Sequence, residues 1–190
     1  GQAKRVLVIG AETFSRIVDW KDRGTCILFG DGAGAMLLEA SDEKNGGVLY
    51  AGIRSDGQYT DMLKTNGGVS STQTAGTLFM AGKDVYRHAV AKMPEAVEEG
   101  MRALGLPVSA IDWLVPHQAN ARILQSVAQK LGLPESKAVT TVGQHANTSA
   151  ASIPLALHVA SQDGRIKKGH LVACPALGAG LTWGCAILRW

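Results

Sequence analysis

The chain has 190 residues, of which 46% are hydrophobic and 18% are charged, and its formal net charge is +3 at pH 7. This balance is typical of a globular α/β protein and excludes a largely disordered chain, and no apolar run reaches the roughly 20 residues that a membrane-spanning helix needs. The basic residues are scattered and form no dense cationic stripe, which argues against nucleic acid as a partner.

The cysteines indicate a reducing compartment. Cys26, Cys174 and Cys185 lie inside apolar runs without CxxC spacing, which is typical of buried thiols and not of a disulfide framework or a zinc site. The first residues do not read as a signal peptide. We therefore expect a cytoplasmic protein without a bound metal.

The first predicted element is a strand at residues 6–9 (VLVI). An uninterrupted apolar run is typical of a strand that is buried on both faces of a parallel sheet, and such a strand needs neighbouring strands and covering helices. We therefore expect that a further segment of sequence precedes Gly1.

A second predicted strand, residues 26–29, runs into the glycine-rich stretch GDGAGA at 30–35. These glycines resemble half of a dinucleotide-binding fingerprint. That fingerprint requires GxGxxG at the start of a helix, whereas the apolar residues 36–38 that follow here suit another strand. We interpret the glycines as positions where backbones approach closely within a sheet.

The middle of the chain predicts a strand, a long connection and a helix. Residues 48–53 are the strand, and residues 56–77, rich in glycine, serine and threonine, are either an inter-domain connection or a loop over a site. From Lys83 onwards, apolar residues recur every three to four positions and predict a helix. Pro94 should kink or split this helix, and GLP at 105–107 should end it.

The most informative stretch is WLVPHQAN at 113–120. The apolar residues before the proline predict a buried strand, and residues 121–131 predict a helix that GLP at 132–134 closes. His117 should therefore lie where a strand ends and a helix begins, which is where α/β folds place their chemistry.

The last part of the chain predicts a helix and two strands. GQH at 143–145 leads into Asn147 and a helix that runs to about residue 161, and strands at 171–174 and 182–188 flank a turn at 176–180. The order strand, glycine-rich turn, strand also occurs near the start of the chain, so duplication of one α/β unit is a hypothesis.

His117 and Asn147 are the candidate catalytic side chains. Each is expected to follow a strand, and a histidine and an amide together provide two neutral donors for a carbonyl oxygen that gains negative charge as an enolate forms. Backbone N–H groups of the turn at 176–180 offer an oxyanion hole, although a plain tight turn also explains its glycines. A nucleophilic cysteine is expected at a strand-to-helix turn, so we interpret all three cysteines as packing residues.

Four motifs give the chain a resemblance to a known family. FGDGAGA at 29–35, VPHQAN at 115–120, NTSAAS at 147–152 and LTWG at 181–184 resemble, in the family's order, the β-ketoacyl-acyl-carrier-protein synthase III family. These condensing enzymes start fatty-acid synthesis in bacteria and plastids. The resemblance covers only the later part of the family's sequence.

The resemblance implies a thiolase-like fold, in which two similar α/β halves form α-β-α-β-α layers and the subunit usually belongs to a homodimer. Residues 1–55 would be the end of the N-terminal half, residues 56–80 a connecting segment and residues 81–190 the C-terminal half. The family's catalytic triad is Cys-His-Asn. Its cysteine would lie in the segment before Gly1, which makes that N-terminal segment a partner of this chain.

The implied reaction has two steps: acyl-CoA loads the cysteine, then malonyl-acyl-carrier protein loses CO₂ and its carbanion attacks the thioester. By their match to the family's motifs, His117 and Asn147 would stabilise the enolate, Asn120 would bind the CoA arm, and the Ala179 N–H would hold the thioester oxygen. Coenzyme A thioester is a substrate here, so no separate cofactor is implied. The chain by itself is expected to be inactive.

The resemblance also implies a docking surface for the acidic carrier protein. Arg122 matches a basic residue of that surface, and Arg87 and Lys130 are either further members of it or part of a solvated face. Cations near the mouth of the site would speed encounter with an acidic partner.

The chain also departs from the family's pattern. Ala146 stands where the family often has glycine, and Leu177 and Ala179 interrupt its glycine-rich loop, changes that could narrow the site. The loop also lacks the second catalytic cysteine of thiolases, because Ala176 and Leu177 stand there. Two alternatives to a fatty-acid condensing enzyme stay open: a non-catalytic carrier-protein-binding subunit, and a related CoA-dependent condensing enzyme or acyltransferase of secondary metabolism.

Overall fold

Residues 3–43 and 46–190 are described in a computed structural model. The strands are β1 (Arg5–Glu12), β2 (Gly32–Glu39), β3 (Gly47–Ser55), β4 (Leu63–Thr65), β5 (Leu78–Met80), β6 (Trp113–Leu114), β7 (Leu171–Gly178) and β8 (Thr182–Arg189). The α-helices are α1 (Gly82–Ala103), α2 (Ala121–Lys130), α3 (Val142–His145) and α4 (Ser152–Gln162). Short 3₁₀ helices lie at Phe14–Arg16, Gly57–Met62, Val108–Ala110, Glu135–Lys137 and Ser149–Ala151.

The elements stack in successive layers. A four-stranded sheet in the order β3-β8-β7-β6 carries α1 and α2 on one face and α4 on the other. The alternation along β7 explains this, because Leu171 and Ala173 pack toward α1 and α2 whereas Val172 and Cys174 pack toward α4. Beyond α4 lies the two-stranded sheet of β1 and β2. None of the described helices is long and apolar enough to cross a membrane.

The strand predicted at residues 6–9 is confirmed, but its neighbour among the described residues is antiparallel and not parallel, and its burial by a preceding segment stays a prediction. β1 pairs antiparallel with β2, from Arg5 opposite Glu39 to Glu12 opposite Gly32. Only one face of this pair packs against α4 and the helical turn before it. Leu7 and Ile9 project on the other side and are 58% and 63% exposed.

Residues 26–28, predicted as part of a strand, form turns instead. The backbone oxygen of Asp22 accepts the N–H groups of Thr25 and Cys26, and its carboxylate accepts the Gly24 N–H and the Thr25 hydroxyl. These bonds outweigh the β tendency of the apolar run. Only Phe29 pairs in strand fashion, through an isolated parallel bridge to Asn147.

The glycines of the first sheet allow a close approach, but to a helix and not within the sheet as predicted. A Cβ on Gly34 would lie 2.7 Å from Cβ of Pro154 in α4, and a Cβ on Gly10 would collide with the carbonyl of Ala150. The absence of side chains at these glycines lets β1 and β2 lie directly against the start of α4.

β3 joins the sheet of the second half. It pairs antiparallel with β8, so the predicted boundary at residue 55 does not follow the hydrogen bonding of the sheets. Residues 1, 2, 44 and 45 of that predicted first unit lie outside the described residues. The connection at 56–80 contains the β4–β5 hairpin, in which Thr65 pairs with Leu78.

The predicted helix from Lys83 is confirmed as α1, but it runs through Pro94 without a split. A proline inside a helix removes one hydrogen bond and costs about 3 kcal/mol. Buried residues on both sides of it, including Val85, Met93 and Met101, anchor α1 against the sheet and outweigh that cost.

Candidate active site

A cavity of about 920 Å³ lies between α1, the start of α2, the segment around Asn147 and the turn after β7. Six of the predicted site residues line it: Arg87, His117, Asn120, Arg122, Asn147 and Ala179. Lys130 does not line it and lies in the last turn of α2. Most of the other lining residues are apolar, among them Leu63 and Met80 of the β4–β5 hairpin, so this hairpin forms part of the wall.

His117 lies where β6 gives way to α2, as predicted. Parallel pairing continues past β6, because Val115 N–H donates to the Ala173 oxygen and His117 N–H donates to the Pro175 oxygen at 2.9 Å. The ring nitrogen Nδ1 lies 2.7 Å from Oγ of Ser152. Burial lowers the pKa of His117 from 6.5 to about 4, so the ring is neutral at pH 7 and carries a single N–H.

Three hydrogen bonds hold Asn147 in place. Its backbone N–H donates to Leu28 and its carbonyl accepts the Gly30 N–H, and its side-chain Oδ1 accepts the Ser149 N–H at 3.0 Å. Because an N–H must face the oxygen of the amide, this contact fixes which end of the side chain is which. The NH₂ group is left as the donor that Asn147 offers to the cavity.

The prediction that Asn147 follows a strand is wrong. It follows the short helix α3 and then Ala146, whose φ of 59° and ψ of −165° belong to a region that glycine adopts far more readily than alanine. α3 ends there because Ala146 does not adopt helical backbone angles. The sequence difference at Ala146 therefore coincides with a strained backbone position next to the candidate catalytic amide.

Gln118 connects the two segments that carry the candidate donors. It is fully buried, its amide NH₂ donates to the oxygens of Pro116 and Val139, and its Oε1 accepts the Thr141 N–H. The side-chain amide therefore makes three of its four possible hydrogen bonds within the protein. The His117 segment and the chain leading to Asn147 are thus held in one network.

Asn120 has a structural contact besides its predicted role. Its Oδ1 accepts the Ile123 N–H at 3.1 Å and caps the N-terminus of α2. Its NH₂ group is not used in that cap, and the residue lines the cavity. Capping and binding of a substrate arm are therefore compatible at Asn120.

The turn between β7 and β8 brings backbone groups to the cavity. Ala176, Leu177, Gly178 and Ala179 all line it. β7 extends to Gly178, further than the predicted end at residue 174, because the antiparallel pairing with β8 continues to Gly178 opposite Thr182. The Ala179 turn therefore lies on the same cavity as His117 and Asn147.

The mouth of the cavity carries positive charge. Arg122 is exposed in the first turn of α2, and Arg87 on α1 pairs with Asp84 at 3.3 Å. Lys83, one turn before Arg87, also lines the cavity and was not selected from the sequence. Its spacing of four residues from Arg87 on a predicted helix was the signal that could have identified it.

The cysteines differ from one another. Cys174 and Cys185 are buried, and burial raises the pKa of both thiols, to about 12 for Cys185, so neither is a thiolate at neutral pH. Cys26 is only partly buried and lies in a turn, not in the predicted strand. The packing interpretation therefore has support at Cys174 and Cys185 but not at Cys26.

Comparison with known proteins gives a consistent result. The family model for 3-oxoacyl-[acyl-carrier-protein] synthase III matches residues 1–57, and the model for the C-terminal part of that family matches residues 101–190. A β-ketoacyl-[acyl-carrier-protein] synthase III from Rhizobium rhizogenes is 57% identical over the whole chain. The chain spans 60% of the length of that relative.

Solved structures agree with the sequence relatives. The 3-oxoacyl-(acyl carrier protein) synthase III of Pseudomonas aeruginosa is 42% identical with a TM-score of 0.94, over all of this chain and 60% of that one. The corresponding synthase of Aquifex aeolicus is 40% identical with a TM-score of 0.93, over all of this chain and 59% of that one.

Proposed function

Because the chain belongs to the 3-oxoacyl-[acyl-carrier-protein] synthase III family, we propose that it supplies the histidine and asparagine of a decarboxylating condensing enzyme. The predicted thiolase-like fold is confirmed by the solved structures that it matches. The proposed reaction of the whole protein joins an acyl group from acyl-CoA to malonyl-acyl-carrier protein and so starts a fatty acid.

The observation that carries this proposal is the pair of neutral donors on one cavity. In the second half-reaction the bond between the malonyl carbon and its carboxylate breaks, CO₂ leaves, and the electron pair becomes an enolate whose oxygen gains negative charge. The N–H of neutral His117 and the NH₂ of Asn147 can both donate to that oxygen. The enolate carbon then attacks the acyl thioester on the family's cysteine, the new carbon–carbon bond forms as the acyl C–S bond breaks, and the cysteine leaves as a thiolate.

The remaining site residues would bind the substrates. The Ala179 N–H would hold the thioester oxygen and the Asn120 NH₂ the CoA arm, and their position on the same cavity supports both roles. Arg122 and Arg87 at its mouth would attract an acidic carrier protein. Lys130, outside the lining, is the most distant member of this proposed docking surface.

The setting of the reaction is part of the proposal. We place it in the cytoplasm, which the three free cysteines support. The subunit would be one half of a homodimer, and its two thiolase-like halves would be joined by the connection between β2 and β3, since β3 already pairs in the sheet of the second half. Both follow from the family's expected architecture.

A turnover assay of the full gene product tests the function. Acyl-CoA and malonyl-acyl-carrier protein are supplied, and released CO₂ and the β-ketoacyl-carrier protein are quantified. We expect both products in equal amounts. Binding of the carrier protein without turnover would favour a non-catalytic subunit, and turnover with CoA-bound acceptors alone would favour an enzyme of secondary metabolism.

A further inference from the structure

Ser152, the first residue of α4, makes a contact with His117 that no role assigned so far explains. Its side chain is 1% exposed, and its Oγ lies 2.7 Å from Nδ1 of His117. The same Oγ accepts the backbone N–H of Gln118 at 3.2 Å. The hydroxyl is therefore placed between a ring nitrogen and a backbone donor.

The hydrogen-bonding capacity of the hydroxyl decides which group donates. A serine hydroxyl has one proton and two lone pairs. The Gln118 N–H occupies one lone pair, because a backbone N–H can only donate. Of the two hydrogen-bond contacts that Oγ makes, only His117 Nδ1 can accept the hydroxyl proton.

The opposite arrangement would be unfavourable. If Nδ1 of His117 carried the proton, Oγ of Ser152 would accept from two N–H groups and its own buried proton would lack an acceptor. A buried polar group without a partner costs about 1–3 kcal/mol. The other ring nitrogen would then present a lone pair to the cavity, which repels an oxygen that is gaining negative charge.

We propose that Ser152 is a positioning residue that donates its hydroxyl proton to Nδ1 of His117 and thereby holds the ring in the tautomer with the proton on Nε2. Nε2–H is then the group that His117 offers to the cavity. The tautomer does not depend on the reaction, whereas its effect on the rate rests on the proposed role of His117 as a donor to the enolate. In histidine sites generally, the hydrogen bond made by one ring nitrogen sets the state of the other.

The position of Ser152 restricts movement of its hydroxyl away from His117. It begins α4, which β1 and β2 hold closely through Gly10 and Gly34, and the Gln118 N–H that bonds it belongs to the residue after the histidine itself. Rotation of the Ser152 side chain away from His117 would break both contacts at a residue that is 1% exposed.

Nitrogen NMR of the full gene product with ¹⁵N-labelled histidine tests the tautomer directly. Loss of a signal in His117→Gln identifies the ring. In the unmodified protein at pH 7 we expect a protonated Nε2 and an unprotonated, hydrogen-bonded Nδ1. In Ser152→Ala we expect the Nδ1 signal to lose its hydrogen-bond shift and a fraction of the ring to take up the Nδ1–H form.

The rate of malonyl decarboxylation gives the second readout. We expect Ser152→Ala to lower it by about 10- to 100-fold, less than loss of a donor, because part of the ring still carries the proton on Nε2. Ser152→Thr keeps a hydroxyl and should restore most of the rate. Ser161→Ala, at the partly exposed far end of α4, is the matched control and should change neither the spectrum nor the rate.

The possible results separate the two proposals. A protonated Nδ1 in the unmodified protein overturns the inference, whatever becomes of the variants. An unchanged spectrum and rate in Ser152→Ala also overturn it, while the proposed function stands if His117→Gln is impaired. The expected spectra together with a normal rate in His117→Gln would support the tautomer assignment and contradict the proposed function.

Discussion

The side-chain oxygen of Gln118 accepts the backbone N–H of Thr141 at 2.7 Å. This bond joins the segment of His117 to the segment that leads into Asn147, although the two are separate in the sequence. The amide NH₂ of Gln118 strengthens the link by donating to Pro116 at 2.8 Å and Val139 at 3.0 Å. The two candidate donors are therefore positioned by one buried side chain.

Replacement of that side chain should destabilise the protein. We expect Gln118→Leu to lower the free energy of unfolding by about 1–3 kcal/mol, because it leaves the Thr141 N–H without its partner in a buried site. Urea denaturation of the full gene product measures the change. Gln129→Leu on the exposed face of α2 is the control, and an equal loss in both variants would remove the special role of Gln118.

Burial of His117 should make stability depend on pH. Its pKa is 6.5 when unfolded and about 4 when folded, so the unfolded state takes up a proton first as the pH falls. The free energy of unfolding is therefore unaffected by this titration above pH 6.5 and falls by roughly 3 kcal/mol in total between pH 6.5 and about 4. The free energies of unfolding of the unmodified protein and of His117→Gln should therefore converge or cross as the pH is lowered. Parallel curves would show that burial does not lower this pKa.

The strain at Ala146 should be removable. With φ at 59° and ψ at −165°, we expect Ala146→Gly to raise the free energy of unfolding by about 1 kcal/mol, because the relief of strain exceeds the added chain entropy of glycine. Ala138, with φ at −89°, is the control, and Ala138→Gly should destabilise by roughly 0.5–1 kcal/mol. Destabilisation by both changes would mean that Ala146 carries no strain.

Charge reversal at the cavity mouth should weaken use of the carrier protein. We expect Arg122→Glu to raise the KM for malonyl-acyl-carrier protein at low salt and to leave acyl-CoA loading almost unchanged, with the effect shrinking as salt rises. Lys130→Glu should have a smaller effect, since Lys130 lies away from the cavity. Arg102→Glu at the end of α1 is the matched control. A KM that responds equally to all three changes would reflect net charge and not a docking surface.

Local signals explain what could be predicted from the sequence. The start of α2 and the place of His117 follow from an apolar run, a proline and a helical period. The apolar period of α1 likewise identified its buried face. These features depend on neighbours within a few residues in the chain.

Features that depend on distant contacts were missed. The antiparallel pairing of β1 with β2 joins residues that are far apart in the chain, such as Arg5 and Glu39, and the apolar run of β1 alone does not show it. Ser152 was part of a quoted motif, yet its contact with His117 spans 35 positions of sequence and leaves no local pattern. Physical reasoning from the sequence selected the two candidate donors but not the groups that orient them.

The central claim is that His117 and Asn147 stabilise the enolate, and separate measurement of the two half-reactions tests it most directly. His117→Ala and Asn147→Ala are introduced into the full gene product, with His158→Ala on the exposed side of α4 as the control. We expect each of the first two to slow malonyl decarboxylation by about 10²–10³-fold, the usual effect of losing one oxyanion donor, and to slow acyl transfer from acyl-CoA to cysteine far less. Equal losses in the two half-reactions would contradict the account.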